Sequence, residues 1–466
     1  MGPNEQEVRG IYRRGEDECV AWMLQTFGQM YERIESQDAQ LKAQNDRIEA
    51  LEKLVKTNSQ NSSKSPSQDP FRAKKKPKRR KKCSKRHSLG GRKLRPVSEV
   101  SELIDIHPER CSLCTMPLSP ESPHVGMPTR HQQVEIPEPT AILTEYLLHT
   151  CLCRGCKATT QAALPPEATS SFGPRLKALI ATLAADKRQS TRQLKELLSD
   201  LYGVEISTGA IAKIVEETGT TLLPAAAHIK SELLKEAALY ADETSWRIAN
   251  FKAWLWGLFS HKWAFYDIEK TRAGDVARDL IPFTYEGIVH TDCYSGYSHL
   301  GPSRRQVCWA HLMRHFQDHF EREGPAHAYG ERGLAICKRV FAHADHSTPR
   351  QRKELIRDTD ALIELGLEDE STKTMALTLR KHRGELWHFL YHPDVEPSNN
   401  HAERMLRGAV IKRKISFGSG SEQGAHALAA LFSVVGSSRL QGKSPYPFIE
   451  RSIRFDLLGQ PLPLLA

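Results

Sequence analysis

The stretch LYADETSW, residues 239–246, decides how the second half of the chain is read. Its apolar start completes a strand over 237–241 (AALYA), and Asp242 stands where that strand ends. IVHTDCYSGY (288–297) repeats the arrangement, with Asp292 just after a strand at 286–291. SNNHAERMLR (398–407) then places Glu403 on a helix near 399–410. Three carboxylates delivered to one sheet edge suit a two-metal phosphoryl-transfer site. Mg²⁺ takes hard oxygen ligands and keeps several waters, so two or three protein carboxylates suffice. A metal pair about 4 Å apart can hold the attacking and leaving oxygens of an in-line displacement.

Around these motifs the pattern alternates between aromatic-rich strands and helices. Strands are expected at 253–259 (AWLWGLF), 263–268 (WAFYDI) and 305–309 (RQVCW), with a helix at 271–281. Three antiparallel strands, a helix, a parallel strand, then a further strand and helix is the order of an RNase H-like fold. Residues 311–395 read as an all-helical insertion, longer than a sheet-to-helix crossover needs. An apolar helix near 424–437 closes a catalytic domain spanning 235–440, and a tail follows over 441–466. Arg404, Arg407 and Arg413 lie beside Glu403 and are candidate contacts for DNA phosphates.

At 466 residues the chain exceeds one ordinary core, so a multidomain α/β protein is expected. No apolar run is long enough to span a membrane, and the charged N-terminus has no secretory h-region, so a reducing cytoplasm is the expected compartment. The net charge is +10, yet residues 72–95 hold 14 Lys and Arg with no acid, which leaves −4 for the rest. This basic segment, including Lys74, Lys75, Lys76, Arg79 and Arg80, reads as a disordered linker over 58–106 able to lie along a polyanion. Before it, Val20, Phe27, Ile34, Leu41, Ile48 and Val55 recur every seven residues, with Met23, Met30 and Leu51 three places on. That seam predicts a coiled coil within residues 1–57, and hence a homo-oligomer.

Cys111, Cys114, Cys153 and Cys156 form two C-x2-C turns, 38 residues apart, in a segment read as a zinc ribbon over 107–160. Four thiolates make the tetrahedral cage that structural Zn²⁺ favours. Cys151 is an alternative to Cys153, although only Cys153 has the x2 spacing to Cys156. The interval is long enough for a small hairpin at QQVEIP. Residues 168–225 read as short helices capped by Thr191 and Ser207, with Gly203 at a helix end. They fit either a helix-turn-helix or a three-helix packing module, since only Lys213 is basic on the candidate recognition helix.

Taken together, NSSKSPSQD, the paired C-x2-C, YADETSWRI, TDCYSGY, VCWAHLMRHF and SNNHAERMLRGAVIKRKISFGSGSEQGAHALAALFSVV resemble TnpC-type transposases of the insertion-sequence sixty-six family. That family belongs to the DDE transposase/integrase superfamily. The resemblance implies that Asp242, Asp292 and Glu403 are a catalytic triad binding two Mg²⁺, with DNA ends and target DNA as substrates. It implies a site-supporting role for Cys308 and His311, and it makes accessory proteins encoded beside the gene plausible partners. Two positions depart from the family pattern: Cys293 stands for a glycine, and Ser398 for an aspartate. A catalytically inactive DNA-binding protein or repressor is the rival reading.

Overall fold

The computed structural model describes residues 10, 11, 13, 15–56, 94–123, 125–344 and 346–465, without the side chains of 19 and 45–56. Most of the basic segment, with Lys74, Lys75, Lys76, Arg79 and Arg80, lies outside the described residues. By internal contacts, the described residues 15–56, 146–196 and 206–465 belong to one unit, and 94–145 with 197–205 to a second.

Helix α1 (Glu16–Lys56) is continuous over 41 residues and carries three acids in its first turn, where they complement the helix dipole. Val20, Met23, Phe27, Met30, Ile34 and Leu41 on its heptad seam are all exposed. A two-stranded hairpin follows in the same unit, β1 (Thr150–Leu152) against β2 (Thr159–Gln161). In the second unit, QQVEIP forms no strand. It ends in Pro137, which removes a ladder donor, and among the described residues it joins no ladder; the Gln132 side chain instead exchanges hydrogen bonds with Arg95 N and O at 2.8 and 3.0 Å.

Helices α2 (Pro174–Ala185), α3 (Thr191–Tyr202), α4 (Thr208–Thr221) and α5 (Leu223–Leu233) come next. The cap of α3 is Ser190, one residue before the expected Thr191. Its hydroxyl accepts from Gln193 N at 3.2 Å, and the Gln193 side chain accepts from Ser190 N at 3.0 Å, a reciprocal box that Thr191 cannot form. Ser207 caps α4 through Ala210 N at 3.1 Å, and Gly203 takes φ 62°, the left-handed value that ends a helix. On α4, Ile211, Ile214, Thr218 and Gly219 are buried, whereas Lys213 lies outside that face within 3.7 Å of Glu217.

The central sheet comprises β3 (Ala238–Ile248), β4 (Phe251–Phe259), β5 (Ala264–Glu269), β6 (Ile288–Thr291) and β7 (Arg305–Val307), with helix α6 (Gly274–Leu280) between β5 and β6. Its order is β5-β4-β3-β6-β7. The first three strands are antiparallel, while β6 joins β3, and β7 joins β6, in parallel. β3 runs well past Asp242, because pairing with β4 continues from Tyr240 to Ile248. Alternation of Thr244, Trp246 and Ile248 with Glu243, Ser245 and Arg247 sustains the extended chain. Pairing with β6 stops at Tyr240, so Asp242 sits where β3 emerges beside the shorter strand.

Helices α7 (Trp309–Phe320), α8 (Pro325–Ala342), α9 (Pro349–Leu367) and α10 (Glu370–Lys381) form the helical insertion. They enclose a core of their own with Trp309, Phe316, Tyr329, Leu355 and Leu379, which also includes Ile288 and Val307 of the sheet. The larger core gathers Trp246, Trp256, Phe259 and Tyr240 against helices α11 (Asn400–Ser416), α12 (Glu422–Leu440) and α13 (Pro445–Leu457).

The outer edge of β5 is covered by α12. Ser437 Oγ accepts from Ala264 N at 2.9 Å and donates to Ala264 O at 3.1 Å, while one turn earlier Ser433 Oγ accepts from Tyr266 N at 2.9 Å. Four-residue spacing on the helix thus matches two-residue spacing on the strand, and the exposed row of an edge strand is satisfied. Both serines are fully buried, so Ser437→Ala leaves two buried backbone groups unpaired. We expect this change to cost about 1–3 kcal/mol, read as a lower urea midpoint. Gln423→Ala, at an exposed position in the first turn of the same helix, should shift the midpoint little.

Candidate active site

The parallel register of β3 and β6 sets Tyr240 opposite His290. Asp242 and Asp292 each lie two residues beyond this last pair, Asp292 just past the end of β6, and the Asp292 charge is felt at Asp242. Asp292 opens a turn in which its Oδ1 accepts from Tyr294 N at 2.8 Å, and Asp242 Oδ1 accepts from Glu243 N at 2.9 Å. The third predicted carboxylate arrives through Asn399, which is fully buried before α11. Asn399 Nδ2 donates to Ala241 O at 2.8 Å, and its backbone N–H donates to Cys308 Sγ at 3.0 Å. The start of α11 is thereby tied both to the residue preceding Asp242 and to the N-cap of α7. Glu403 N donates to Asn399 O at 3.3 Å, so Glu403 sits one turn into the helix.

Cys308 accepts a hydrogen bond at this junction, and burial pushes its thiol up to about 11. His311, on the same helix, brings Nε2 within 3.5 Å of Glu403 Oε1. Burial and then Arg314 hold the His311 pKa below the usual range. The sequence did not single out Arg314, whose Nη2 donates to both Glu403 oxygens, at 2.9 and 3.1 Å. Its signal was the spacing three residues beyond His311, which puts both on one face of α7.

A fourth carboxylate stands beside the three. Glu243 is buried, with Oε1 held by Arg272 Nε and Nη2 at 2.8 and 2.6 Å and Oε2 by the Tyr297 hydroxyl at 2.6 Å. Arg272 also stacks 3.9 Å above the Tyr294 ring. Burial raises the Glu243 pKa, Asp292 adds to the effect, and Tyr297 and Arg272 oppose it. For Asp242, burial and the charges of Glu243, Asp292 and Glu403 push the pKa well above the ordinary carboxylate range. Arg305 steadies the turn after β6. This fully buried arginine donates to Thr291 Oγ1 and to Asp292 O at 2.8 Å, and to Tyr294 O at 2.9 Å. A buried Arg on a three-residue strand reads as surface in sequence; only its neighbours reveal its use.

The electrostatic cluster suits a cation, because Asp242 is half-buried and feels three other negative groups. Asn399 Oδ1 and His311 Nδ1 are buried without hydrogen-bond partners. Among the described residues, however, no group of three or more His, Cys, Asp or Glu side chains converges as a finished metal cage. Glu403 in particular is committed to Arg314.

The remaining expected residues lie elsewhere. Arg404 and Arg407 are exposed on α11 next to Glu403, and Arg413 is half-buried near its end. In the second unit, Cys111 N donates to Met116 O and Thr115 N to Cys111 O, with Thr115 at φ 56°. In the first unit, Cys153 N donates to Ala158 O and Lys157 N to Cys153 O, with Lys157 at φ 59°. The two turns have the same construction. Backbone N–H groups of Cys114 and Leu113 lower the Cys111 pKa, and those of Cys156 and Gly155 lower that of Cys153. Cys293 and Ser398, the departures from the family pattern, are both largely enclosed, and burial holds the Cys293 thiol up at about 12.

A mixed α/β sheet core with an acidic cluster at one edge, joined to a long N-terminal helix, is the class of protein that these features define. The chain belongs to the transposase IS66 family: the model described as "Transposase IS66 family" matches residues 169–427, more than half of its length. Residues 16–99 match a second model, described as a family of unknown function, DUF6444. Similar curated proteins occur in Sinorhizobium fredii. "Uncharacterized protein y4qI" is 28% identical over 66% of this chain and 64% of its own length. "Uncharacterized protein y4hP" is 24% identical over 63% of this chain and 61% of its own length. The match thus spans less than two thirds of these relatives. Among the described residues, no helix is long and apolar enough to cross a membrane.

Because the folded pKa of Asp242 stands above its unfolded value, its ionisation opposes folding. The penalty is absent below the unfolded pKa, about 4, and grows by up to about 1.4 kcal/mol per pH unit until pH passes the folded pKa. Asp242→Asn should therefore raise the Tm in chelator near neutral pH, with the gain vanishing toward pH of about 4. Thermal melts across pH check this; a gain independent of pH would assign it to something other than the charge.

Proposed function

We propose that the chain is a DDE-type transposase with an RNase H-like catalytic core, hydrolysing DNA strands at element ends and joining the freed 3′-OH to target DNA. The observation that carries this reading is the convergence of Asp242 on β3 with Asp292 just past the end of the neighbouring strand β6, close enough for the Asp292 charge to act on Asp242, with the start of α11 pinned to Ala241 O by Asn399. Family membership and the strand order β5-β4-β3-β6-β7 support it.

Asp242, Asp292 and Glu403 would hold two Mg²⁺ ions, with Asp242 and Asp292 ionised in the loaded site. Bound there, the ions would activate water and stabilise charge on the scissile phosphate. Glu403 would join the set by leaving Arg314, and His311 and Cys308 would keep α7 and α11 aligned. Arg404 and Arg407, exposed beside Glu403, would meet DNA phosphates. The basic segment with Lys74, Lys75, Lys76, Arg79 and Arg80 would add sequence-independent affinity. The exposed heptad seam of α1 supports a homo-oligomer able to pair two DNA ends. Work on chromosomal DNA would take place in the cytoplasm, with proteins encoded beside the gene as candidate accessories.

Incubating the protein with Mg²⁺ and a plasmid carrying the gene and its flanks should give paired nicks at inverted repeats. Asp242→Asn, Asp292→Asn and Glu403→Gln should each reduce nicking to below about one hundredth while leaving DNA binding intact. End-specific binding with no nick in any metal would make the chain a DNA-binding repressor instead.

Cys111, Cys114, Cys153 and Cys156 would together hold a structural Zn²⁺, a use supported by the matched turns and lowered thiol pKa values of Cys111 and Cys153. Elemental analysis should find about one zinc per chain. Cys153→Ser should lose it and Cys151→Ser retain it; the opposite result would make Cys151 the ligand.

A further inference from the structure

Beyond the carboxylates, an open pocket of about 610 Å³ lies at the far end of β3. Arg247 and Lys252 line it from the β3–β4 hairpin, and Arg413, Lys414 and Phe417 line it from the end of α11. Among the described residues that line it, none is a carboxylate. Arg413 is already oriented, with Nη1 donating to Thr244 Oγ1 at 3.1 Å and Ser245 Oγ at 2.7 Å. Lys252 Nζ rests 5.0 Å over the Trp254 ring.

Phe417 is the unusual member. It occupies the position after α11 with φ 60° and ψ 8°, a left-handed conformation that glycine adopts readily and a bulky residue does not. The residue is 81% exposed, so core packing does not hold it there. The loop beneath it is firmly built. Ser419 N donates to Arg247 O at 2.9 Å, Ala249 N donates to Ser419 O at 2.7 Å, and Trp246 Nε1 donates to Ser419 Oγ at 3.2 Å. Gly418 passes so close that an added Cβ would fall 2.4 Å from Arg247 O. A rigid loop therefore presents an aromatic face among four cations.

We propose that this pocket is a subsite for unpaired DNA, in which a base stacks on Phe417 while Arg247, Lys252, Arg413 and Lys414 receive the adjoining phosphates. Base faces inside a duplex are covered by their neighbours, so an exposed ring gains a partner only where the strands have opened. Stacking platforms flanked by positive charge are the general means of holding single strands. Arg247 lies five residues beyond Asp242 along β3, about 17 Å, and Arg413 lies ten residues beyond Glu403 along α11, about 15 Å. At about 3.4 Å per nucleotide of stacked strand, the subsite is about four or five nucleotides from the carboxylates. It rests on the reading of DNA as substrate and specifies that the DNA is opened beside the cut.

The test uses the full chain with two otherwise identical DNAs, a blunt duplex and one with a short single-stranded tail carrying 2-aminopurine. Salt is raised to weaken contacts made by phosphate attraction alone. The wild type should prefer the tailed DNA and quench the 2-aminopurine on binding. Phe417→Gly should bind the tailed DNA about five- to hundredfold more weakly, leave blunt-duplex affinity unchanged, and keep or raise the Tm. Phe417→Trp should restore both binding and quenching. Phe251→Ala, at an exposed ring outside the pocket lining, should behave as wild type. Equal affinity of wild type for the two DNAs, or equal loss on both in Phe417→Gly, would overturn the subsite while leaving DNA binding in place. Failure of the wild type to bind either DNA would overturn the subsite and the proposed function together.

Discussion

Asn399 is the joint on which the acidic edge depends. One side chain and one backbone N–H, both buried, connect β3, α7 and α11 through Ala241 O and Cys308 Sγ. Trp309 N adds a further tie to Pro397 O at 2.8 Å. These bonds meet at the turn from the helical insertion into α11, where a small rotation would carry Glu403 away from the sheet. Buried hydrogen bonds are costly to leave unmade, so rotating α11 out of this junction would break several of them at once. A long insertion between the second and third carboxylates is tolerable because its endpoints are fastened here.

The same edge concentrates like charge. Three acidic residues bear on Asp242, and the protein answers each differently: Glu243 with Arg272 and Tyr297, Glu403 with Arg314, and Asp292 with a backbone N–H. Asp242 accepts from the N–H of Glu243, a neutral donor. Charge left without a countercharge weakens a fold, and such positions are characteristic of sites that bind or react. The stabilising contribution comes from nearby Arg305, whose guanidinium holds the backbone of the Asp292 turn while its Nη1 lies 3.5 Å from Glu385. Beyond the carboxylates, the same two elements, β3 and α11, contribute Arg247, Arg413 and Lys414 to the lining of the pocket.

Much of this organisation was legible in the chain itself. Alternation and aromatic runs located the strands, although β3 proved longer because cross-strand pairing with β4 outweighs the polar residues 242–245. Helix 422–440 was legible from its apolar run, but the use of Ser433 and Ser437 was not, because a small polar residue in a helix carries no sign of the edge strand it faces. The three candidate carboxylates stood out through their motifs. Glu243 did not, since the residue after a strand-borne aspartate ordinarily points to the other face.

Sequence alone determined the periodicities, the cysteine spacings, the local basic charge and the motif order, because each is a property of neighbouring residues or of residue type. Tertiary structure decided that Asp242 and Asp292 come together, that Arg314 occupies Glu403, and that Arg305 is buried beneath a turn. It also decided that Phe417, an unremarked residue after a helix, is held outward in a left-handed conformation. Register, burial and pairing between residues distant in the chain are set by packing, and no local pattern encodes them.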